Sequence, residues 1–137
     1  MSQRIQDALK DAGQSVTAPR VAVFEALHAS DGPIAPANLA AMLDGQVDRA
    51  SVYRTIALFK RLQFVREVSA GWRQLIELGD RFDPHHHHLT CLACGRAVVL
   101  ESDALEKRLA ALAGDHGYSL ASHQLELTGY CPTCRGR

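Results

Sequence analysis

Two cysteine pairs share one spacing, Cys91-Leu-Ala-Cys94 and Cys131-Pro-Thr-Cys134, and they account for all four cysteines of the chain. Two residues between thiolates let both sulfurs of one turn reach a single ion. Two such pairs therefore supply the ligands of a tetrahedral structural zinc site. The same residues could instead form two disulfides, and a lone Cys-x-x-Cys could be a redox pair. Two pairs forty residues apart fit zinc better than redox chemistry. His85, His86, His87 and His88 run consecutively just before the first pair. The run is internal and leads straight into a cysteine knuckle, unlike an expression tag. One end of the chain is built around metal, and more than one ion is expected there.

The rest of the sequence must position these groups. At 137 residues it allows one domain or two small ones, and 47% hydrophobic residues allow a core. Two small halves would each be marginal alone, and a metal staple in one of them offsets that. The N-terminal stretch is polar, with no apolar signal core. No run approaches the roughly 18 apolar residues of a membrane span. A cytoplasmic location is expected, and its reducing conditions favour metal over disulfide. Formal net charge is zero, but the distribution is uneven. Arg49, Arg54, Lys60, Arg61 and Arg66 fall between residues 49 and 66, a stretch with no acid; Asp48 and Glu67 only flank it.

The first half reads as helices. Ile5, Ala8, Leu9 and Ala12 recur at helical spacing, and Gly13 ends the run. Thr17 caps a second helix with Pro19 in its first turn and Val23, Phe24 and Leu27 on its inner face. Pro36 opens a third that buries Leu39, Met42 and Leu43. Asp48 caps a fourth, with Val52, Ile56, Phe59 and Leu62 buried and Ala50, Tyr53, Arg54, Ala57 and Arg61 outward. Alternating runs at 64–68 and 73–78 then flank Ser69-Ala70-Gly71 as a hairpin. Helix, turn, helix and hairpin predict a winged helix-turn-helix, whose second helix enters the major groove while the wing reaches backbone or minor groove. Tyr53 and Arg54 are placed for bases or phosphates.

The second half reads differently. Residues 79–84 form a hinge between a DNA-binding domain at 1–78 and a second domain at 85–137. Short strands at 88–91 and 97–100 flank the first knuckle. Ser102 caps a helix with Leu105, Leu109 and Leu112 inward, ending near Gly117. A strand from His123 to Tyr130 delivers the second knuckle. One helix over about three strands cannot bury its faces alone, so pairing with a second copy is expected.

These motifs together resemble the ferric uptake regulator (Fur) family of metal-responsive repressors. The matching residues are Val16-Thr17-Ala18-Pro19-Arg20, Ala50-Ser51-Val52-Tyr53-Arg54-Thr55, Glu77-Leu78, the run from His85 through Cys94-Gly95, His116-Gly117, His123 and Cys131-Pro132-Thr133-Cys134. The resemblance covers essentially the whole chain. It implies an α+β protein: an N-terminal winged helix-turn-helix, then a small α/β dimerisation domain stapled by a four-cysteine zinc site. Its DNA-contacting set maps onto Arg20, Arg49, Ser51, Tyr53, Arg54, Thr55 and Arg61.

The resemblance also implies up to three metal sites. Structural zinc maps onto Cys91, Cys94, Cys131 and Cys134. A site within the dimerisation domain maps onto His85, His87, Glu106 and His123. Alternate residues of an extended run point the same way, which suits His85 with His87. Imidazoles with a carboxylate take zinc, iron, manganese or nickel. A hinge site, the family's usual sensor, maps onto Glu77, His86 and His88. Here the chain departs from the pattern. Gly32 and Pro33 stand where many members supply a histidine, and Val99 stands where some supply an acid. Asp80 or Asp83 are the available substitutes. Ser15 replaces a basic residue often found before the Val-Thr. His28 and His116 have no spacing partner and read as ordinary histidines.

The expected function is that of a metal-responsive DNA-binding regulator. It would be a homodimer that binds a palindromic duplex operator when loaded, and it would repress genes of metal uptake or homeostasis. Its cofactors would be structural zinc and a second, regulatory divalent metal: iron(II), zinc or manganese. A peroxide sensor of the same fold is the alternative, and the missing hinge ligands weigh against it. A zinc-dependent hydrolase is remote: no H-E-x-x-H or similar motif is present. No enzymatic activity and no membrane partner are expected.

Overall fold

The computed structural model describes residues 2–70, 72–83 and 86–136. The turn residue Gly71, Pro84 of the expected hinge and the expected ligand His85 lie outside the described residues. The chain divides into two compact units, Met1–His85 and His86–Arg137.

The first unit holds α1 (Ser2–Asp11), α2 (Ala18–Ala29), α3 (Pro36–Met42), α4 (Arg49–Arg61) and the antiparallel hairpin β1 (Val65–Ala70) and β2 (Arg73–Leu78). The helices start where the sequence places caps. Thr17 Oγ1 accepts from the Arg20 N–H, Asp48 from the Ser51 N–H, and Pro19 and Pro36 occupy first-turn positions. Ile5, Leu9, Val23, Phe24, Leu39, Val52 and Phe59 are fully buried in one core with Phe64, Ile76 and Phe82. Ile34 pairs with Ile76 through hydrogen bonds in both directions, 2.8 and 2.9 Å, which fixes the hairpin against the α2–α3 connection.

Three expectations about the core change. Met42 is 56% exposed. The helical stripe of α3 passes through Leu39, Ala40 and Leu43 and leaves Met42 beside it. Ala12 is exposed as well, just past the end of α1. Residues 79–83 are part of the first unit, not a free connector. The Phe82 ring packs edge-on against Phe24 (4.9 Å) and Phe64 (5.4 Å), and the Gly79 N–H donates to the Phe64 carbonyl at 2.8 Å.

That close approach is set by two residues. Helix α4 ends in a 6→1 and 5→2 pair of bonds, Phe64 N–H to Phe59 O and Gln63 N–H to Lys60 O, with Gln63 at φ 60°. The turn aims the Gln63 carbonyl at Gly79, where an added Cβ would sit 2.5 Å from that oxygen.

The second unit contains β3 (His87–Cys91), β4 (Ala97–Leu100), α5 (Asp103–Asp115) and β5 (Glu126–Gly129). Its sheet order is β4-β3-β5, with β3 antiparallel to β4 and parallel to β5. Ser102 caps α5 through the Leu105 N–H, and Gly117 follows it at φ 78°. The strand expected over 123–130 pairs only over Glu126–Gly129. Helix α5 buries none of its residues, and Leu112 is exposed. No helix among the described residues is long and apolar enough to cross a membrane.

Gly79→Ala should destabilise the first unit by about 1–3 kcal/mol, because the new methyl meets backbone rather than a movable side chain. Gln63→Gly should stabilise it by about 1 kcal/mol by removing the left-handed strain. Urea unfolding followed by circular dichroism checks both, and an unshifted midpoint for Gly79→Ala would show that the Gly79 backbone yields freely.

Candidate metal and nucleic-acid sites

The cysteine cluster is assembled by strand register. Cys91 ends β3 opposite Gly129 at the end of β5, and the Leu92 N–H donates to the Gly129 carbonyl at 2.8 Å. This brings the second knuckle alongside the first. Each knuckle is a tight turn, closed by Gly95 N–H to Cys91 O (2.9 Å) and by Cys134 and Arg135 N–H to Cys131 O (2.9 and 2.8 Å). The four sulfurs all lie within 4.8 Å of one another, and Cys94 Sγ stands 3.8 Å from Cys131 Sγ. Zinc–sulfur bonds of about 2.3 Å place the corners of a tetrahedron about 3.8 Å apart. That is far beyond a disulfide bond of about 2.05 Å.

The charges fit the same geometry. Backbone N–H groups of Cys94 and then Cys131 bring the Cys91 thiol down to about 6. The Cys134 N–H lowers Cys131. The neighbouring thiols, Cys131 first, push Cys134 up to about 12. Four thiolates cannot coexist here without a cation, and two of them are already favoured by amide donors.

On the same sheet, His87 opposes Glu106 and His123. His87 Nε2 lies 2.6 Å from Glu106 Oε1, His123 Nε2 2.8 Å from Glu106 Oε2, and the two Nε2 atoms 3.4 Å apart. For metal–nitrogen bonds of about 2.05 Å a tetrahedral edge is roughly 3.3 Å, close to the distance between the two ring nitrogens; the two contacts to Glu106 are hydrogen-bond distances. The three donors come from a strand, a helix and the segment before β5. The expected fourth, His85, is outside the described residues.

His86 and His88 are both buried, with ring centroids 4.8 Å apart, and His88 Nδ1 is 3.4 Å from Glu126 Oε1. Glu126 was not anticipated. It sits opposite His88 in the parallel register, which no spacing in the sequence displays. Glu77 belongs to the first unit, is 6% exposed, and accepts from Arg66 Nε at 2.8 Å; Arg66 also engages Asp80. Arg66 and Glu77 face each other across the hairpin. Of the histidines without a spacing partner, His28 is exposed and stacks on Phe24, while His116 is the C-cap of α5.

Most of the residues expected to meet nucleic acid lie on helix α4, with Arg20 on α2. Arg49, Tyr53, Arg54 and Arg61 are exposed, and Arg20 and Ser51 are partly so. Thr55 departs from expectation: at 5% exposure it lies in the inward stripe with Val52, Ile56 and Phe59. Asp48 organises the start of the helix. It accepts the Ser51 hydroxyl at 2.6 Å as well as its N–H, and Arg54 donates to Ser51 Oγ at 2.9 Å. These contacts, the Ser51 hydroxyl first, hold the Asp48 carboxyl below its ordinary value. The Arg49 guanidinium lies over the Tyr53 ring, 5.5 Å from its centroid.

A winged helix joined to a unit carrying two donor clusters defines a DNA-binding regulator that holds metal. The chain belongs to the ferric uptake regulator family, whose model matches residues 11–128. It is 30% identical to the ferric uptake regulation protein of Campylobacter jejuni over 98% of this chain and 88% of that one. The Vibrio cholerae ferric uptake regulator, whose structure was described for a rearrangement of its DNA-binding domains, superposes with a TM-score of 0.78. It is 32% identical and covers 92% of this chain and 98% of its own. The Helicobacter pylori regulator, described with three functional metal-binding sites, shares the fold at TM-score 0.83 and 21% identity, covering 98% and 91%.

Cys91→Ser and Cys134→Ser should each lose zinc and the folded second unit, since a structural site supplies folding free energy outright. Elemental analysis and sizing chromatography read this out. A zinc-free variant that still runs as a stable dimer would sink the structural role.

Proposed function

We propose that the protein is a homodimeric, metal-dependent repressor that binds a palindromic operator when loaded and controls genes of metal uptake or homeostasis. The observation that carries this is the convergence of His87, Glu106 and His123, whose donor atoms all lie within 4.8 Å of one another. Zinc would occupy Cys91, Cys94, Cys131 and Cys134. A second divalent ion, iron(II), zinc or manganese, would occupy His87, Glu106 and His123 with His85. The chemistry these ions supply is charge neutralisation and geometric constraint.

A second copy accounts for the exposed apolar surface of the C-terminal unit. Leu109, Leu112, Ala113, Tyr118 and Leu120 line a hollow of about 470 Å³, and Val98 and Val99 are exposed on β4. Burying such a surface against itself is the usual solution for so small a unit. Metal would act by linkage. It binds the dimer better when the two α4 helices match successive major grooves, and the coupling is of order 1–3 kcal/mol. Such a regulator works in the cytoplasm, where its thiols stay reduced.

The set Glu77, His86 and His88 would be the lesser contributor. It lacks the family's N-terminal histidine at Gly32 and Pro33, and Arg66 already engages the Glu77 carboxylate. His85→Ala with His87→Ala should lower metal content by about one ion per subunit, the loss expected when half of a four-ligand set goes. It should also weaken metal-dependent DNA binding more than His86→Ala with His88→Ala does. If the second pair alone abolishes the metal response, the ranking is reversed.

Tyr53→Ala and Arg54→Ala should weaken operator binding at unchanged metal content. Arg54→Ala should also flatten the salt dependence if it meets phosphate. Anisotropy titrations at several salt concentrations measure both. Unchanged affinity in both variants would mean that another element reads the DNA.

A further inference from the structure

The chain has one tryptophan, Trp72, and it is 88% exposed. It stands in the two-residue connection of the hairpin, between Ala70 and Arg73, which pair with each other. Turn chemistry does not ask for it: two-residue hairpin loops prefer asparagine, aspartate and glycine. An indole carries about 150–250 Å² of surface that gains from burial. The first unit leaves that surface in water although its own core is well filled.

The strands below are held firmly. Val68, Ala70 and Leu75 form their own small core with Ala35 packed against it, and Ile34 is bonded to Ile76. The hairpin also follows α4 directly through the tight turn at Gln63, so tip and reading helix are parts of one unit. The charge around the tip suits a polyanion. Residues 68–76 contain Arg73 and no acid. The two flanking acids are engaged within the unit, Glu67 with Lys60 at 2.7 Å and Glu77 with Arg66 at 2.8 Å.

We propose that Trp72 is a DNA contact: the indole enters the minor groove beside the major-groove segment read by α4, with Arg73 on the flanking backbone. This rests on the assignment of the protein as an operator-binding regulator. Apolar side chains that enter the minor groove lie against sugars and base edges, and they wedge between steps where the duplex is flexible. Stacking on an indole is tolerant of sequence. Trp72 therefore contributes affinity, together with a preference for deformable steps flanking the half-site.

A single tryptophan makes the test direct. The metal-loaded full chain is titrated with a labelled duplex selected from random sequence. Anisotropy of the label reports the complex, and indole emission reports Trp72. The expected result is quenched or blue-shifted emission that saturates with the anisotropy. Trp72→Ala should bind about 5- to 100-fold more weakly, and Trp72→Phe should retain most of the affinity, both with unchanged circular dichroism and metal content. Replacing guanine by inosine in the flanking steps removes only a minor-groove amino group, and it should alter binding by the native chain more than by Trp72→Ala. Complex formation with unchanged emission and unchanged affinity of Trp72→Ala would overturn the proposal and leave the regulator assignment standing. No complex with any selected duplex, at full metal loading, would overturn both.

Discussion

The second unit depends on one constraint: four thiolates must share a cation. Among its described residues the buried ones are His86, His87, His88, Thr90 and Cys91. None is an aliphatic or aromatic hydrocarbon. Where a domain of this size would normally place leucine and valine, this one places metal-ligand chemistry. Within one chain, hydrophobic burial therefore cannot carry its folding. The parallel pairing of β3 with β5 matters because it sets Cys91 beside Gly129, and so one knuckle beside the other. Amide donors aimed at Cys91 and Cys131 pull both thiols below their ordinary value, while the neighbouring thiols push Cys134 up.

The first unit is built the opposite way. Its core runs from Ile5 to Phe82 and is almost wholly apolar, with two of its helix starts capped by side chains and α4 closed by a 6→1 turn. Its polar devices are spent on the outer face of α4, where Asp48, Ser51 and Arg54 form a hydrogen-bonded chain and Arg49 lies over Tyr53. These bonds order long side chains, which lowers the entropy that any binding through them would cost. Asp48 is also a negative charge on this face, compensated locally by Ser51 and Arg54.

Legibility followed the range of the interactions. Caps, helix starts and the hairpin depend on neighbours three or four residues away, and Thr17, Asp48, Ser102 and the strand at 73–78 could be read directly. Thr55, three after Val52 and one before Ile56, belongs to the buried stripe by helical period, although the resemblance maps it onto the DNA-contacting set. Phe82 looked like a linker residue because nothing local says that Gly79 can approach the Gln63 carbonyl closely enough to fold the segment back. The parallel register that puts Glu126 against His88 spans 38 residues and leaves no local trace. The weak helix α5 could be located but not its burial, because its apolar side chains have no cover within one chain.

The parity of the histidine run explains why one short strand serves more than one donor set. In extended backbone neighbouring side chains point apart, so His87 faces away from His86 and His88. His87 turns to Glu106 and His123, while His88 turns to Glu126 and the His86 ring. A register slip of one residue would exchange these faces and leave both sets incomplete. That register is fixed at the far end of β3, where the bond from the Leu92 N–H to the Gly129 carbonyl and the thiolate cluster pin the strand. The structural cluster thus sets the phase of the histidine donors, and losing it would scramble the second set even with every histidine intact.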